Sequence, residues 1–126
     1  EELYLISGSE TVDPERAIEK LLDRGVRYVF VTAGEKGAWY GVRGEIGFEQ
    51  AFPVKAVDTT GCGDAFLGTM HYLLLHRSGW SIGKKTRYAN AAAAICATGR
   101  TGIAAMPNWE QIVALAEGGE NDSRNN

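Results

Sequence analysis

Two glycines and two acids fall within seven residues, Asp58-Thr59-Thr60-Gly61-Cys62-Gly63-Asp64, the most chemically loaded stretch of the chain. Glycines at 61 and 63 let the backbone come close to a ligand and point successive amide N–H groups at one spot. An apolar run follows at once, so a helix should begin near the end of the loop and add its positive N-terminal end. Together these features make an anion site, and phosphate is the usual anion. Asp64 needs a reason to be there, because a carboxylate at the mouth of an anion hole repels a bound phosphate. Proton abstraction supplies one. The acid could take the proton from a hydroxyl while the amides hold the phosphoryl group that the hydroxyl attacks. The plainer reading makes Asp64 a first-turn acid favoured by the helix dipole and the glycines a tight turn.

Other phosphate motifs fit poorly. There is no GxxxxGK[ST], since Gly37 lacks the downstream Lys-Ser/Thr of a P-loop. Gly61-x-Gly63 is followed by Phe66 where a dinucleotide fingerprint needs Gly or Ala. The protein-kinase motif set is absent.

The loop must be carried by regular elements, and the flanking sequence supplies them. Asp13 then Pro14 reads as an N-cap followed by proline at the first helical position. Ala17, Ile18, Leu21 and Leu22 follow at helical spacing, and Gly25 can close the helix. Arg27 to Thr32 is a β-branched and aromatic run of strand length. Helix, short loop and buried strand are half of a βαβ unit, which predicts a mostly parallel sheet. Gly34-Glu35-Lys36-Gly37 interrupts, and then Ala38–Val42 and Glu45–Phe52 read as two strands around an Arg43-Gly44 turn.

Past the loop, Ala65, Phe66, Leu67, Met70, Tyr72, Leu73, Leu74 and Leu75 are apolar nearly all round, the pattern of a buried helix. Ser81 can cap another helix to about Ala97, whose Ala91–Ala94 run offers a thin face for close backbone approach. Pro107-Asn108 opens a last helix with Ile112, Val113, Leu115 and Ala116 inward. Residues 118–126 contain no apolar side chain and read as a disordered tail. The outline is α/β.

Composition bounds the rest. The 126 residues are 44% hydrophobic and 23% charged, an ordinary globular balance whose length suits one domain. A net charge of −3 gives no electrostatic case for nucleic acid or an anionic membrane. No apolar run approaches the ~18 residues of a membrane span. Glu1-Glu2-Leu3 shows no signal-peptide pattern, and two cysteines without CxxC spacing favour a reducing, cytoplasmic setting.

Taken with its neighbours, Asp58-Thr59-Thr60-Gly61-Cys62-Gly63-Asp64-Ala65-Phe66 resembles the C-terminal signature of the ribokinase-like (PfkB) carbohydrate kinases, usually D-T-x-G-A-G-D-x-F. The one departure is Cys62 at a small-residue position. Val31-Thr32-Ala33-Gly34-Glu35-Lys36-Gly37 is similar to the family's strand and turn that support the nucleotide, and Tyr88–Ala94 to the helix flanking the adenine. Glu2-Leu3-Tyr4-Leu5-Ile6-Ser7-Gly8 resembles the stretch ending in L-x-G after the family's N-x-x-E motif. The resemblance covers residues 1–117 and implies the C-terminal, ATP-binding part of a three-layer sandwich with a mostly parallel central sheet. Most of the acceptor-sugar site would lie in the other half.

The resemblance implies roles residue by residue. Asp64 would be the catalytic base, with the amides of Gly61, Cys62, Gly63 and Asp64 as the anion hole. Thr32, Gly34, Glu35, Lys36 and Gly37 would line the nucleotide groove, and Asn90 would sit beside the adenine. Glu2 would act on magnesium and phosphate. Asp58 and Thr60 would hold a monovalent cation such as K+, helped by the loop Thr98-Gly99-Arg100-Thr101-Gly102. The implied cofactors are ATP and Mg2+, the partner a small sugar or sugar acid, and self-association through a cut face is expected. Two rival readings stand: a non-catalytic nucleotide-binding fragment or pseudoenzyme, and a vitamin kinase of the same superfamily.

Other residues have structural explanations. His71 and His76 suit packing or a helix end, Cys96 a small core position, and Trp39 and Tyr40 sheet packing. Lys84, Lys85 and Arg87 read as a solvated helix face. A helix N-terminus lowers a thiol pKa, which singles out Cys62, although a steric replacement for alanine is simpler than a redox role.

Overall fold

The computed structural model describes residues 2–99 and 107–125. Contacts divide the chain into two compact units, Glu1–Ala51 and Phe52–Asn126, where length alone suggests one.

The first unit is a sheet with one helix. Its elements are β1 (Leu3–Ser7), α1 (Pro14–Asp23), β2 (Tyr28–Thr32), β3 (Gly37–Val42) and β4 (Glu45–Gln50). The strand order follows the sequence, β1-β2-β3-β4. β1 and β2 pair in parallel from Leu3↔Tyr28 to Ser7↔Thr32. With α1 between them they complete the βαβ unit of which the sequence displayed half. β2–β3 and β3–β4 are antiparallel, so among these four strands the sheet is mixed, parallel at its start and a hairpin at its end.

α1 begins where the sequence places it. Asp13 Oδ1 accepts the Arg16 amide at 3.2 Å and Pro14 occupies the first turn. Ile18, Val29 and Val31 are fully buried together, with Leu21, Leu22, Trp39 and Ile46 packed around them. Ile18 lies so close over β3 that a Cβ on Gly41 would meet its methyl at 2.1 Å. Only glycine lets this helix sit that low on the sheet. Truncating Ile18 to Ala should cost ~2–5 kcal/mol, the range for deleting a buried aliphatic side chain.

The hairpin turns at Arg43-Gly44, with Gly44 at φ +86°. β4 stops at Gln50 rather than Phe52. Pro53 has no N–H to donate, and Phe52 is instead buried in the core of the second unit.

That unit has three helices, α2 (Cys62–His76), α3 (Ile82–Ala97) and α4 (Trp109–Asn125). Phe52, Leu73, Tyr88, Ala91, Ala92, Ala94, Ile112 and Ala116 form its core. The alanines of α3 are buried because small side chains let neighbouring helices approach closely. Ser81 Oγ accepts the Lys84 amide at 3.1 Å and caps α3. Asn108 Oδ1 accepts the Gln111 amide at 2.8 Å, and the Gln111 side chain accepts the Asn108 amide at 3.0 Å. This reciprocal cap opens α4.

Three expectations need correcting here. α2 is not buried all round: Ala65, Phe66, Met70 and Leu73 are buried, whereas Tyr72 and Leu75 are exposed. The apolar run exceeds the width of the face that packs. Of Lys84, Lys85 and Arg87, read as a solvated face, only Lys84 is exposed. Lys85 is buried, which lowers its pKa by desolvation. The Arg87 guanidinium donates to the Ala116 carbonyl at 2.9 and 3.2 Å and lies over the Phe52 ring. Lys84 Nζ stands 4.1 Å from the centre of the Trp80 ring. Long cationic side chains cover apolar surface with their stems and rings with their charge. Finally, the helical backbone of α4 runs to Asn125, through the stretch read as a tail. Once a helix is nucleated, each added residue gains a hydrogen bond.

Candidate functional site: the glycine loop before α2

Gly61 has φ +81° and is the N-cap of α2, with no side chain bonded over the helix end. The loop is pinned from behind by α3. The amides of Val57 and Asp58 both donate to the Ala97 carbonyl, at 2.7 and 3.1 Å. The Cys96 thiol donates to the Thr60 carbonyl at 3.6 Å. Asp58 Oδ1 accepts the Thr60 amide at 2.9 Å, and this bond to the ionised form lowers the Asp58 pKa.

The first turn of a helix has N–H groups with no intrahelical partner. The Cys62 amide is taken by the Thr59 carbonyl at 3.2 Å, and the Gly61 carbonyl accepts from Ala65 at 2.9 Å. The amides of Gly61, Gly63 and Asp64 have no acceptor among the described residues. Asp64 is exposed in the first turn of α2. A Cβ on Gly63 would meet nothing within 4 Å, and its φ is not positive. Neither packing nor backbone strain inside the chain therefore requires glycine there.

Cys62 departs from the expectation for a helix-end thiol. Its pKa is pushed up to about 12, first by burial, then by its hydrogen bond with the Cys96 thiol and by the charges of Cys96 and Asp58. Cys96 is accordingly more than a small core residue, because it touches the loop through both Thr60 and Cys62. No spacing rule could have paired these cysteines, since the contact is tertiary.

The residues expected at the nucleotide lie in the first unit, apart from Asn90. Gly34–Lys36 is a single 3-10 turn between β2 and β3. The Lys36 amide donates to the Ala33 carbonyl at 3.0 Å and the Ala33 amide to the Gly37 carbonyl at 2.8 Å. Gly34 has φ +56° and an open face, while Gly37 has φ +135° and would drive a Cβ to 2.1 Å from the Glu49 carbonyl. Gly37 is thus required by the sheet itself. Thr32 Oγ1 donates to the Ile6 carbonyl at 3.4 Å, and Glu35 and Lys36 are exposed. Gly8 was not singled out by chemistry, yet a Cβ there would meet the Thr32 carbonyl at 2.3 Å. It lets the chain cross tightly over the end of β2, and its signal was the L-x-G pattern. Asn90 is buried on α3.

Glu2 stands elsewhere. Its carbonyl accepts the Arg27 and Tyr28 amides, and its carboxylate pairs with Arg27 at 3.0 Å. That is the Tyr28 end of β2, opposite the Thr32 end that leads into the Gly34 turn. A cavity of about 820 Å³ opens beside it, lined by Glu19, Asp23, Arg27, Tyr28, Arg43 and Glu45 among others. None of the residues implied for nucleotide or base lines it. Among the described residues no group of three His, Cys, Asp or Glu could hold a metal. The expected cation ligands from the loop after α3 lie, from Arg100 to Gly102, outside the described residues.

The chain is similar in sequence to a deoxyribokinase of Salmonella typhi, 38% identical over 88% of this chain and 37% of that protein. It is 32% identical to a fructokinase of Solanum tuberosum over 94% of this chain and 38% of the relative. In structure it is similar to the ribokinase of Arabidopsis thaliana complexed with ribose and ATP, with a TM-score of 0.78 at 27% identity, over 92% of this chain and 41% of that one. It therefore spans well under half the length of these relatives. Residues 1–109 match the pfkB family carbohydrate kinases. A ribokinase-like fold, relatives that are sugar kinases and a match over most of its length agree: the chain belongs to the pfkB family of carbohydrate kinases.

Proposed function

We propose that this chain is the phosphoryl-binding and base-bearing part of an ATP-dependent sugar kinase. The observation that carries the reading is the N-terminus of α2. There a glycine without a packing contact, Gly63, and three amides with no acceptor among the described residues stand beside an exposed acid, Asp64. In the reaction, Asp64 accepts the proton of a sugar hydroxyl as its oxygen attacks the γ-phosphorus of ATP, and the bond to ADP breaks. The amides of Gly61, Gly63 and Asp64 meet the charge on the transferring phosphoryl oxygens, where fixed dipoles act without reorganising.

Nucleotide contacts are assigned to Thr32, Gly34, Glu35, Lys36 and Gly37 within the first unit and, separately, to Asn90 within the second. Magnesium would supply charge neutralisation for the transferring phosphoryl group. The Glu2 carboxylate is engaged by Arg27, so the reading does not draw on it. For a monovalent cation, Asp58 keeps a second carboxylate oxygen and the Thr60 carbonyl a second lone pair. Those hard oxygen donors suit K+. The sugars named for the relatives are ribose, deoxyribose and fructose, and a small sugar or sugar acid is the acceptor class.

The test is titration of the reduced chain with ATP, followed by amide chemical shifts. Gly61, Gly63 and Asp64 should move first and furthest. Shifts confined to other residues would remove the anion hole, and with it the catalytic reading in favour of a non-catalytic module.

A further inference from the structure

The loop before α2 also serves as the end cap of α3. The last carbonyls of an α-helix have no partner inside the helix. In α3 those of Ala94 and Ile95 accept the Thr98 amide at 3.3 and 3.1 Å, and the Ile95 carbonyl also accepts the Thr98 hydroxyl at 2.6 Å. The Cys96 carbonyl accepts the Gly99 amide at 3.0 Å, with Gly99 at φ +75°. The Ala97 carbonyl, which ends the helix, is satisfied from the loop instead. It accepts the Val57 amide at 2.7 Å and the Asp58 amide at 3.1 Å. The Val57 bond lies at the short end of the range for such pairs.

From that anchor the chain reaches Gly61 with little freedom. Asp58 Oδ1 holds the Thr60 amide at 2.9 Å, and the Thr59 carbonyl holds the Cys62 amide at 3.2 Å. These bonds lie within the loop and fix its shape. The bonds to α3 fix its place, the Cys96 thiol on the Thr60 carbonyl adding to the two on Ala97. A displacement at Val57 is therefore carried on to Gly61 and into the first turn of α2. The Val57 side chain takes no part in this, being 73% exposed. We propose that Val57 is a positioning residue, whose backbone amide on the Ala97 carbonyl sets where Asp64 and the amides of Gly61 and Gly63 stand.

The consequence for chemistry rests on the reading of the loop as an anion hole, whereas the register of the loop does not. Phosphoryl transfer is catalysed by positioning, and a site works only when its groups are held to about 0.5 Å. A helix end is a stiff support for that purpose. α3 also carries Asn90, roughly 10 Å before Ala97 along its axis at 1.5 Å per residue. The residue assigned to the adenine and the anchor of the phosphoryl loop thus ride on one helix.

The experiment uses the whole chain, reduced and isotopically labelled. A scalar coupling through the hydrogen bond should join the Val57 amide nitrogen to the Ala97 carbonyl carbon, and the Val57 amide should exchange slowly with solvent. Val57→Pro removes the amide hydrogen. Replacing Val57 by its α-hydroxy acid removes the same hydrogen as an ester, without the ring, and serves where proline disturbs folding. Either change should move the amide shifts of Gly61, Gly63 and Asp64 while those of Ile112 and Ala116 stay, and should weaken ATP binding at least tenfold. Val57→Ala keeps the amide and should behave as the parent chain. A residue that only stabilised the fold would change the unfolding midpoint and leave the folded-state shifts alone. Absence of both coupling and protection at Val57 would overturn the proposal. So would parent shifts or parent ATP affinity in the proline and ester forms, or equal damage from Val57→Ala. If the parent chain does not bind ATP, the anion hole falls, while the coupling and the shifts still decide whether Val57 places the loop.

Discussion

Asp64 shows how a single residue is tested against its plain alternative. As a helix-end acid it would contribute only the few tenths of a kcal/mol of a first-turn carboxylate. As a base it acts on the rate of proton removal. In a chimaera where this chain replaces the matching segment of a sugar-kinase relative, Asp64→Asn should lower kcat about 10²–10⁴-fold while ATP affinity stays nearly unchanged. Near-normal turnover in the Asn variant would reduce Asp64 to a dipole partner. Asp58 makes a pH prediction. Its folded pKa is lowered by the Thr60 amide, so the turn it stabilises is fully present above the ordinary carboxylate range and is lost as pH falls through the lower, folded value. The Thr60 amide shift should therefore titrate in acid, below about pH 4, and Asp58→Ala should abolish that titration. At this scale the loop was legible because glycines and acids at fixed offsets imply geometry directly. The Cys62–Cys96 contact was not legible, because it depends on where α3 ends relative to a loop 34 residues earlier, as the two residue numbers show.

At the scale of elements, glycines separate function from architecture. Gly37 and Gly63 look alike in the sequence, and both were assigned to ligand. In the structure Gly37 is held at φ +135° against the Glu49 carbonyl, whereas Gly63 is helical with open space around it. The same substitution should thus have opposite consequences. Gly37→Ala should destabilise the β3–β4 hairpin by at least ~1–3 kcal/mol, the cost of a strained backbone residue, seen as a lower urea midpoint. Gly63→Ala should be neutral or stabilise α2 by up to ~1 kcal/mol through helix propensity, while weakening ATP binding measured by titration. If Gly63→Ala bound ATP as well as the parent chain, the empty space above α2 would have no role. Element boundaries were legible where a cap states them: Asp13-Pro14 before α1, Ser81 before α3 and Asn108 before α4 each bond as their types suggest. β1 had no such signal. Its residues alternate weakly, and only pairing with β2 makes Leu3–Ser7 a strand. The exposed face of α2 was hidden for the converse reason, since Tyr72 and Leu75 continue the apolar pattern past the part that packs.

For the molecule as a whole, the open question is what the chain does by itself. The chain spans 37–38% of the length of its deoxyribokinase and fructokinase relatives. Phosphoryl transfer is catalysed by positioning, and the proposed function assigns this chain a phosphoryl site and a base but no residue that positions the acceptor. The cavity at the Tyr28 end of β2 is lined by no residue of the loop before α2. The isolated chain should therefore show no sugar-dependent ADP release, checked by a coupled assay with ribose, deoxyribose and fructose.

Its sheet edges bear on its behaviour in solution. β1 and β4 are the outer strands of the order β1-β2-β3-β4, and each leaves one row of backbone N–H and C=O groups unpaired by the sheet. The two edges differ in their protection. β4 carries Glu45, Glu49 and Gly47, and like charges and a glycine discourage a second strand. β1 reads Leu-Tyr-Leu-Ile-Ser without a charge, and Tyr4 is half exposed. Strand addition should then occur at β1 rather than β4. The chain should self-associate at micromolar concentration in a sedimentation experiment, and Leu5→Lys, which places a charge on that edge, should shift it towards monomer. A single concentration-independent monomer in the parent chain would mean that β1 is protected and that these units suffice as they stand. Association unaffected by Leu5→Lys would move the contact to another surface, with the exposed Tyr72 and Leu75 of α2 as the next face to test.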